Sequence, residues 1–312
     1  MSRVHDALRR AGQSGYKPEE LPPLPEQPHS QEVVPATAGS GGGNGSYSAA
    51  AAAVAPNGAL MNGQAAAPLR ANLLPAMLAE VVVTPFQPAP ESHLLDLNNS
   101  HETPAEEFRT LRTRLNHLQT IQPLHTIVVT SPSPAEGKTF TAANLALAES
   151  HLAESSVLLG DFDLRRPFVH NLFQVERAPG LSDYLTGQCT FPQALRKIEG
   201  MNLYILPAGT PVKNPLELLN TRQAKALFDE LPRCFNWSIF DTPPLLFSAD
   251  ANLLATLADG AILVVKIGST TFDNVTRAIQ SLCENNVLGI VANNARASEL
   301  YNKYTYYYSK PE

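Results

Sequence analysis

The strongest chemical signal in the sequence is the triplet Gly137, Lys138 and Thr139. It follows a β-branched apolar run at 126–130 and begins a helical pattern. In that strand–loop–helix context, backbone N–H groups and the helix dipole favour a phosphate group. Lys138 would then reach the β- and γ-phosphates of a nucleotide, and the Thr139 hydroxyl would hold Mg²⁺. The alternative is a plain helix start, since Pro132 stands where the usual pattern has its first glycine.

Three aspartates follow other predicted strands at the point where each strand ends. Asp161 and Asp163 come after the run at 157–160, and Asp241 comes after the run at 238–240. In an open parallel sheet, the carboxyl ends of the strands face one crevice, where ligands bind. Three carboxylates beside a phosphate loop repel one another unless a cation lies among them, and Mg·ATP supplies one. Taken singly, each aspartate has an alternative as a helix cap or turn residue.

The last residues of the chain are rich in tyrosine. Five of the nine tyrosines lie there, namely Tyr301, Tyr304, Tyr306, Tyr307 and Tyr308. A terminal segment tends to be mobile, so tyrosines in it are able to enter an active site. We therefore predict that residues 299–312 are a tyrosine-rich tail that serves as substrate. The alternative is a buried aromatic edge strand.

Alternating strand and helix patterns must position these groups. Short apolar runs occupy 126–130, 157–160, 203–206, 238–240, 261–265 and 288–292. Helical patterns occupy 141–153, 222–231, 252–257 and 275–284. Such alternation predicts an α/β fold with a mostly parallel sheet and helices on both faces, over residues 95–298.

The first 94 residues have a different composition. Residues 14–94 contain proline-rich, glycine-rich and alanine-rich stretches that bury too little apolar surface to fold, which predicts a disordered linker. Residues 1–13 predict a short amphipathic helix, because Val4, Leu8 and Ala11 share one face. The alternative for residues 1–13 is a frayed terminus.

Composition excludes several classes of protein. The net charge of −6 argues against a nucleic-acid-binding protein. Three scattered cysteines allow neither a disulfide framework nor a paired-cysteine metal site, and they favour a reducing compartment. No apolar run approaches the length of a membrane span. We therefore expect a cytoplasmic protein, and any membrane partner is expected to be a separate chain.

Together, these motifs resemble a known family. The matching features are P-x-E-G-K-T at 134–139, D-x-D-x-R-R-P at 161–167, D-T-P-P at 241–244 and the terminal tyrosines. In order and spacing, residues 95–312 resemble the bacterial tyrosine autokinases (BY-kinases) of capsule and exopolysaccharide systems. The resemblance implies a P-loop NTPase fold and ATP-dependent phosphorylation of the chain's own terminal tyrosines. Its departures are Pro132 and Ala135, where glycine is frequent.

The resemblance also implies roles for individual residues. Lys138, Asp161, Asp163 and Asp241 match the catalytic residues, and either Asp161 or Asp163 accepts the tyrosine proton. Thr139, Asp161 and Asp241 match Mg²⁺ ligands, and Asn293 is expected near adenine. The full expected nucleotide-binding set is Ala135, Glu136, Gly137, Lys138, Thr139, Phe140 and Asn293.

The expected partners come from the same resemblance. Glu106, Arg109 and Arg112 match an E-x-x-R-x-x-R helix that packs subunits into a homo-oligomeric ring. A membrane-anchored polysaccharide co-polymerase is expected to recruit and activate the kinase at the inner face of the membrane. A protein tyrosine phosphatase is expected to reverse the reaction. The kinase would thereby regulate polymerisation and export of the polysaccharide.

Two other functions remain open from the sequence. One is a partitioning-type P-loop ATPase, although such proteins carry a second lysine where this chain has Ser133, and a tyrosine tail has no role in them. The other is a non-catalytic regulatory subunit whose nucleotide site only switches the binding of an export complex.

Overall fold

The structure, a computed structural model, describes residues 78, 80–88, 92–95, 104–153, 155–282 and 287–295. The strands are β1 Val82–Thr84, β2 Thr126–Thr130, β3 Val157–Asp161, β4 Arg196–Ile198, β5 Leu203–Leu206, β6 Trp237–Asp241, β7 Gly260–Lys266 and β8 Val287–Asn293. The helices are α1 Ala105–Ile121, α2 Lys138–Ser150, α3 Val169–Phe173, α4 Leu181–Leu185, α5 Phe191–Ala194, α6 Pro215–Leu219, α7 Arg222–Cys234, α8 Ala249–Leu257 and α9 Phe272–Ser281.

All eight of these strands form one sheet in the order β1-β4-β5-β3-β6-β2-β7-β8. Every pairing is parallel except that of β4 with β5. The predicted mostly parallel sheet is therefore confirmed. Strands β2, β3 and β6, which precede the phosphate loop and the aspartates, are neighbours at the centre of the sheet.

Side chains of the central strands alternate between two hydrophobic cores, as the pleat of a strand requires. In β2, Ile127 and Val129 face one core and Val128 faces the other. Helices α1, α2 and α3 cover the first face, and helices including α4, α7 and α8 cover the second. The predicted helices on both faces are thus confirmed, and both faces of the central strands are shielded from water.

Helix α2 lies against the sheet beneath α1 and is buried over its last ten residues. Alanine and leucine dominate this stretch, so the helix combines high helical propensity with side chains small enough for close packing. It begins at the carboxyl edge of the sheet, directly after the glycine of the phosphate motif. Its buried body therefore fixes the position of its first turn.

The predicted linker is wrong at its carboxyl-terminal end. Strand β1 lies within the segment 14–94, yet it pairs with β4 through Val82 and Arg196. Leu95 is in the core, and its N–H donates to the Asn144 side chain at 2.8 Å. The folded domain therefore begins before residue 95. The run at 81–84 is β-branched, but the proline- and alanine-rich composition around it led to the linker prediction.

The other sequence predictions divide into two groups. The six predicted strands and four predicted helices are present, with ends that differ by three residues or fewer. Strand β4, also three residues long, was not predicted. The amino-terminal helix at 1–13, the linker up to residue 77 and the tail at 299–312 lie outside the described residues. Within the described part of the chain, no helix is long and apolar enough to cross a bilayer.

Candidate active site

The loop between β2 and α2 turns sharply at the glycine of the phosphate motif. Gly137 has φ of +95°, a region that favours glycine, and a Cβ built there would lie 1.9 Å from Nδ2 of Asn293. Both the backbone angle and the close approach therefore require glycine at this position. Ala135 also has a positive φ, +61°, without glycine's freedom. The backbone of this loop is held in a conformation that few residues adopt.

Contacts from distant parts of the chain hold the same loop. The buried Glu136 carboxylate accepts the Ser133 N–H at 3.1 Å and the Thr270 hydroxyl at 2.6 Å. The Glu136 carbonyl accepts the Asn293 side-chain amide at 2.9 Å. Asn293, expected near adenine, thus lies directly against the loop backbone. The sequence analysis did not single out Thr270, which lies 134 residues from its partner and belongs to no local motif.

Asp161 and Asp241 lie side by side at the carboxyl edge of the sheet. They are the last residues of β3 and β6, and they are direct partners in the register of those strands. Both are essentially inaccessible to solvent. Each has one oxygen, Oδ1, that is buried without a hydrogen-bond partner in the described structure. Two buried carboxylates therefore face each other with unused acceptor capacity.

The surroundings of these two carboxylates disfavour a negative charge. Burial, followed by the proximity of Asp241, raises the pKa of Asp161, although the backbone N–H groups of Val169 and Phe168 donate to its other oxygen. Burial also raises the pKa of Asp241 to about 7, against the opposing effects of Lys138 and of a hydrogen bond from Thr139. A cation bound at this edge would stabilise both charges.

Asp163 connects the acids to the phosphate loop. Its Oδ2 lies 3.6 Å from Nζ of Lys138, and its Oδ1 accepts the Arg166 N–H at 3.0 Å. Both partners of this ion pair are largely buried. The structure therefore brings Lys138, Thr139 and the three predicted aspartates together, although the sequence separates them by up to about a hundred residues.

A second ion pair joins the loop after β3 to the start of α8. The guanidinium of Arg165 binds the fully buried carboxylate of Asp250 through two bonds, of 2.7 and 3.1 Å. Arg165 follows Asp163, and Asp250 lies in the first turn of α8, beyond Asp241. Arg165 belongs to the D-x-D-x-R-R-P motif, but no local pattern links it to Asp250, which lies 85 residues away. A planar two-bond contact of this kind fixes both distance and orientation.

An open cavity of 480 Å³ lies next to the phosphate loop. Phe140 and Thr141 from the first turn of α2, Asn293 from the end of β8 and Leu111 from α1 line it. Its lining is mostly apolar, and the Phe140 ring packs edge-on against Phe108 of α1 at 5.9 Å. A flat, mostly apolar group attached to a phosphate chain fits this arrangement.

The residues predicted for an oligomer interface lie on α1. Glu106 pairs with Arg109 one turn later on the same helix. Arg112 instead donates to the carbonyl of Ala148, near the end of α2, at 2.8 Å. Arg112 therefore ties α1 to the helix that begins at the phosphate loop. The five predicted phosphoacceptor tyrosines lie outside the described residues.

Comparisons with known proteins find relatives of this chain. No protein-family model matches the chain. It is 36% identical over 208 residues to the tyrosine-protein kinase YwqD of Bacillus subtilis. The aligned region covers 66% of this chain and 87% of that protein. The chain is 31% identical over 179 residues to the tyrosine-protein kinase ptk of Acinetobacter johnsonii, but spans only 24% of that longer protein.

A solved structure extends the likeness to the fold. The kinase domain of the Escherichia coli tyrosine kinase ETK superimposes with a TM-score of 0.60 at 30% identity, and the match covers 66% of this chain and 82% of that domain. The fold and the sequence identity therefore agree. The chain belongs to the bacterial tyrosine-protein kinases.

Proposed function

We propose that the protein transfers the γ-phosphoryl group of ATP to the tyrosines of its own terminal segment. One observation carries the proposal: the buried carboxylates of Asp161 and Asp241 lie side by side, each with an unpartnered oxygen, and Asp241 accepts a hydrogen bond from Thr139 in the first turn of α2. In the same turn, Lys138 pairs with Asp163. The positive end of helix α2, the side chain of Lys138 and the buried acids together suit a polyphosphate that is bound with a cation.

The nucleotide would lie across the start of α2. Its phosphates would accept hydrogen bonds from the N–H groups of the loop that ends at Gly137 and from Nζ of Lys138. Its adenosine would occupy the 480 Å³ cavity beside Asn293 and Phe140. On this assignment Asn293 has two tasks, because its amide also holds the loop carbonyl of Glu136.

The residues present fit a magnesium ion. In the described structure, no group of three or more His, Cys, Asp or Glu side chains is arranged to hold a metal ion alone. Mg²⁺ commonly takes one or two carboxylates and completes its shell with water and substrate phosphates, so this sparse donor set suits it. Thr139, Asp161 and Asp241 would hold the ion, which supplies charge neutralisation for the phosphates when bound.

Proton transfer is assigned to Asp163. Asp161 is proposed to hold the ion through its unpartnered oxygen, whereas Asp163 lies in the loop beyond the strand and pairs with Lys138. In the transfer step the tyrosine O–H gives its proton to the Asp163 carboxylate. The phenol oxygen forms a bond to the γ-phosphorus, the bond from that phosphorus to the β–γ bridging oxygen breaks, and ADP leaves. Lys138 stabilises the charge that develops on the phosphoryl oxygens.

Assembly and biological role belong to the same proposal. Glu106, Arg109 and Arg112 on α1 are proposed to form contacts between copies of the chain in a ring. The regulated process is proposed to be the polymerisation and export of capsule or exopolysaccharide, with a membrane-anchored co-polymerase and a tyrosine phosphatase as partners. These assignments rest on the resemblance of the motifs.

Incubation of the chain with Mg·ATP tests the proposed activity. We expect phosphotyrosine within residues 299–312, measured by mass spectrometry, without a matching release of free phosphate. Lys138→Met should lower the rate at least about a hundredfold, because a principal charge of the transition state is lost. Circular dichroism should show an unchanged fold.

Other outcomes would support the alternative functions. Free phosphate without phosphotyrosine would indicate a partitioning-type ATPase. Nucleotide binding with neither product would indicate a non-catalytic switch. Undiminished phosphotyrosine in Lys138→Met would refute the assignment of this site. Replacing all five tail tyrosines by phenylalanine should abolish tail phosphorylation, whereas single replacements should leave most of it.

A further inference from the structure

Two phenylalanine rings are exposed on the loops that carry the acids. Phe168 is 50% exposed and Phe247 is 68% exposed, although phenylalanine usually lies inside a protein. Phe168 follows β3 and Phe247 follows β6, and these strands are neighbours in the sheet. Both rings therefore belong to the same edge of the sheet as Asp161 and Asp241.

The backbones of both residues are fixed relative to the site. The Phe168 N–H donates to Asp161 at 2.9 Å, and the Phe247 N–H donates to the Pro244 carbonyl at 3.2 Å. Residues just before Phe247 bond to the start of the phosphate loop, since the Leu245 N–H donates to the Ser131 carbonyl at 2.9 Å. The Arg165–Asp250 ion pair then ties the loop before Phe168 to the helix that begins directly after the Phe247 loop.

Packing within the fold does not account for these two rings. Two other phenylalanines near the ends of the same strands, Phe162 and Phe240, are buried, and their ring centroids lie 4.5 Å apart. Among the described residues, neither Phe168 nor Phe247 stacks on another aromatic ring. An exposed aromatic ring on a fixed loop beside a reaction site is available for a ligand.

The position of the tail identifies the occupant. Strand β8 runs parallel to β7, so the chain leaves the sheet after Asn293 at the same edge as the acids. Strand β8 is three strand spacings from β6 and four from β3, which is about 14 and 19 Å. Tyr301 is the sixth residue after Ala295, a span of about 20 Å when extended, and the later tyrosines reach further. The tail tyrosines of this chain are therefore within reach of both rings.

We propose that Phe168 and Phe247 form an acceptor subsite that holds the phenol ring of a tyrosine from residues 299–312 while its hydroxyl meets Asp163. This inference rests on the proposed kinase activity. Aromatic rings attract one another in edge-on or offset arrangements, whereas a serine or threonine side chain offers no ring. The subsite thus binds tyrosine in preference to the shorter hydroxyl residues and aims its oxygen at the acids.

The test uses the full chain, a synthetic peptide of residues 299–312 and a matched peptide with serine in place of each tyrosine. Phe168→Ala and Phe247→Ala should each raise the KM for the tyrosine peptide about three- to tenfold. Affinity for a fluorescent ATP analogue should stay unchanged. Phe247→Tyr should restore most of the lost affinity, because it keeps a ring at this position. Ile121→Ala is the control, since Ile121 is also 68% exposed but ends α1 at the opposite edge of the sheet.

The outcomes separate this inference from the proposed function. If the unaltered chain phosphorylates neither its tail nor the peptide, the proposed function fails. If it phosphorylates the tyrosine peptide and the double variant Phe168→Ala/Phe247→Ala keeps the same KM, the subsite is refuted and the kinase assignment stands. Equal effects of Ile121→Ala and Phe247→Ala would also refute the subsite. A thermal midpoint unchanged by these surface substitutions shows that folding is not the cause.

Discussion

The two edges of the sheet both bury carboxylates, in different surroundings. At the carboxyl edge, Asp161 and Asp241 lie side by side, and each has an unpartnered oxygen. At the amino edge, Glu149 near the end of α2 is fully buried, and one of its oxygens is also unpartnered. Burial raises the pKa of Glu149 to about 7, as it does for Asp241.

The partners of these groups differ. Glu149 accepts the Asn116 side-chain amide at 3.1 Å, and the Asn116 carbonyl accepts the indole N–H of Trp237 at 2.8 Å. A single carboxyl in such a network becomes neutral by taking one proton and needs no ligand. Paired aspartates beside Lys138 and a phosphate loop instead suit a bound cation. A buried acid is therefore weak evidence of function, and the convergence of several charged groups is stronger evidence.

The largest expected effect comes from exchanging acids for amides at each edge. Asp241→Asn should lower the rate of tyrosine phosphorylation at least about a hundredfold, because it removes a proposed ligand of the transition-state cation. Glu149→Gln should leave the rate within about twofold. Initial rates of phosphotyrosine formation measure both. A loss in Glu149→Gln as large as that in Asp241→Asn would break the distinction between the two edges.

A moderate effect is expected on the pH dependence of stability. The folded-state pKa of Glu149, about 7, lies above its ordinary value of 4.5, so the folded state retains this proton to higher pH than the unfolded state. The free energy of unfolding should therefore fall as pH rises from about 4.5 to 7, by about 2–3 kcal/mol from this group. Urea unfolding across this range measures the change.

The matched control for this dependence is Glu149→Gln. Two groups face Glu149 or lie near it: Arg112 of α1, and His151, whose pKa is lowered by burial and by the nearby arginines. Their contributions are retained in the variant, so the difference between the two proteins isolates Glu149. Parallel stability curves for the two proteins would show that folding does not raise the pKa of Glu149.

The smallest expected effect concerns the strained backbone of the phosphate loop, which lies at the carboxyl edge of the sheet. Ala135→Gly should relieve about 1 kcal/mol of left-handed strain and add a similar entropic cost in the unfolded chain. The free energy of unfolding should change by less than about 1 kcal/mol, with phosphorylation retained. Chemical denaturation and initial rates measure these quantities.

Gly137→Ala is the contrasting substitution in the same loop. Its Cβ would meet the Asn293 amide at 1.9 Å, and its φ is unsuited to alanine, so nucleotide binding should be lost. If both variants bound nucleotide equally well, the loop would tolerate a side chain at position 137. Fluorescence of a bound nucleotide analogue distinguishes the two cases.

Local sequence patterns predicted most of the fold because the central strands are buried on both faces. Such strands must be short, apolar and β-branched, and 126–130 and 203–206 match the observed strands residue for residue. The three-residue strands β1 and β4 lie at one side of the sheet. Strand β4 carries no comparable run, and the β-branched run at 81–84 that contains β1 lies in the proline- and alanine-rich composition that predicted a linker. Helix α2 begins three residues earlier than its apolar pattern indicated, because its first turn belongs to the phosphate loop.

The sequence was sufficient to identify the phosphate loop and the acids at strand ends, since both depend on residues adjacent in the chain. The order of strands in the sheet was not readable in the same way, because it results from packing between segments far apart. That order makes Asp161 and Asp241 register partners and places Lys138 beside Asp163. It also brings the Asn293 amide to a carbonyl 157 residues away, a contact that no local pattern encodes.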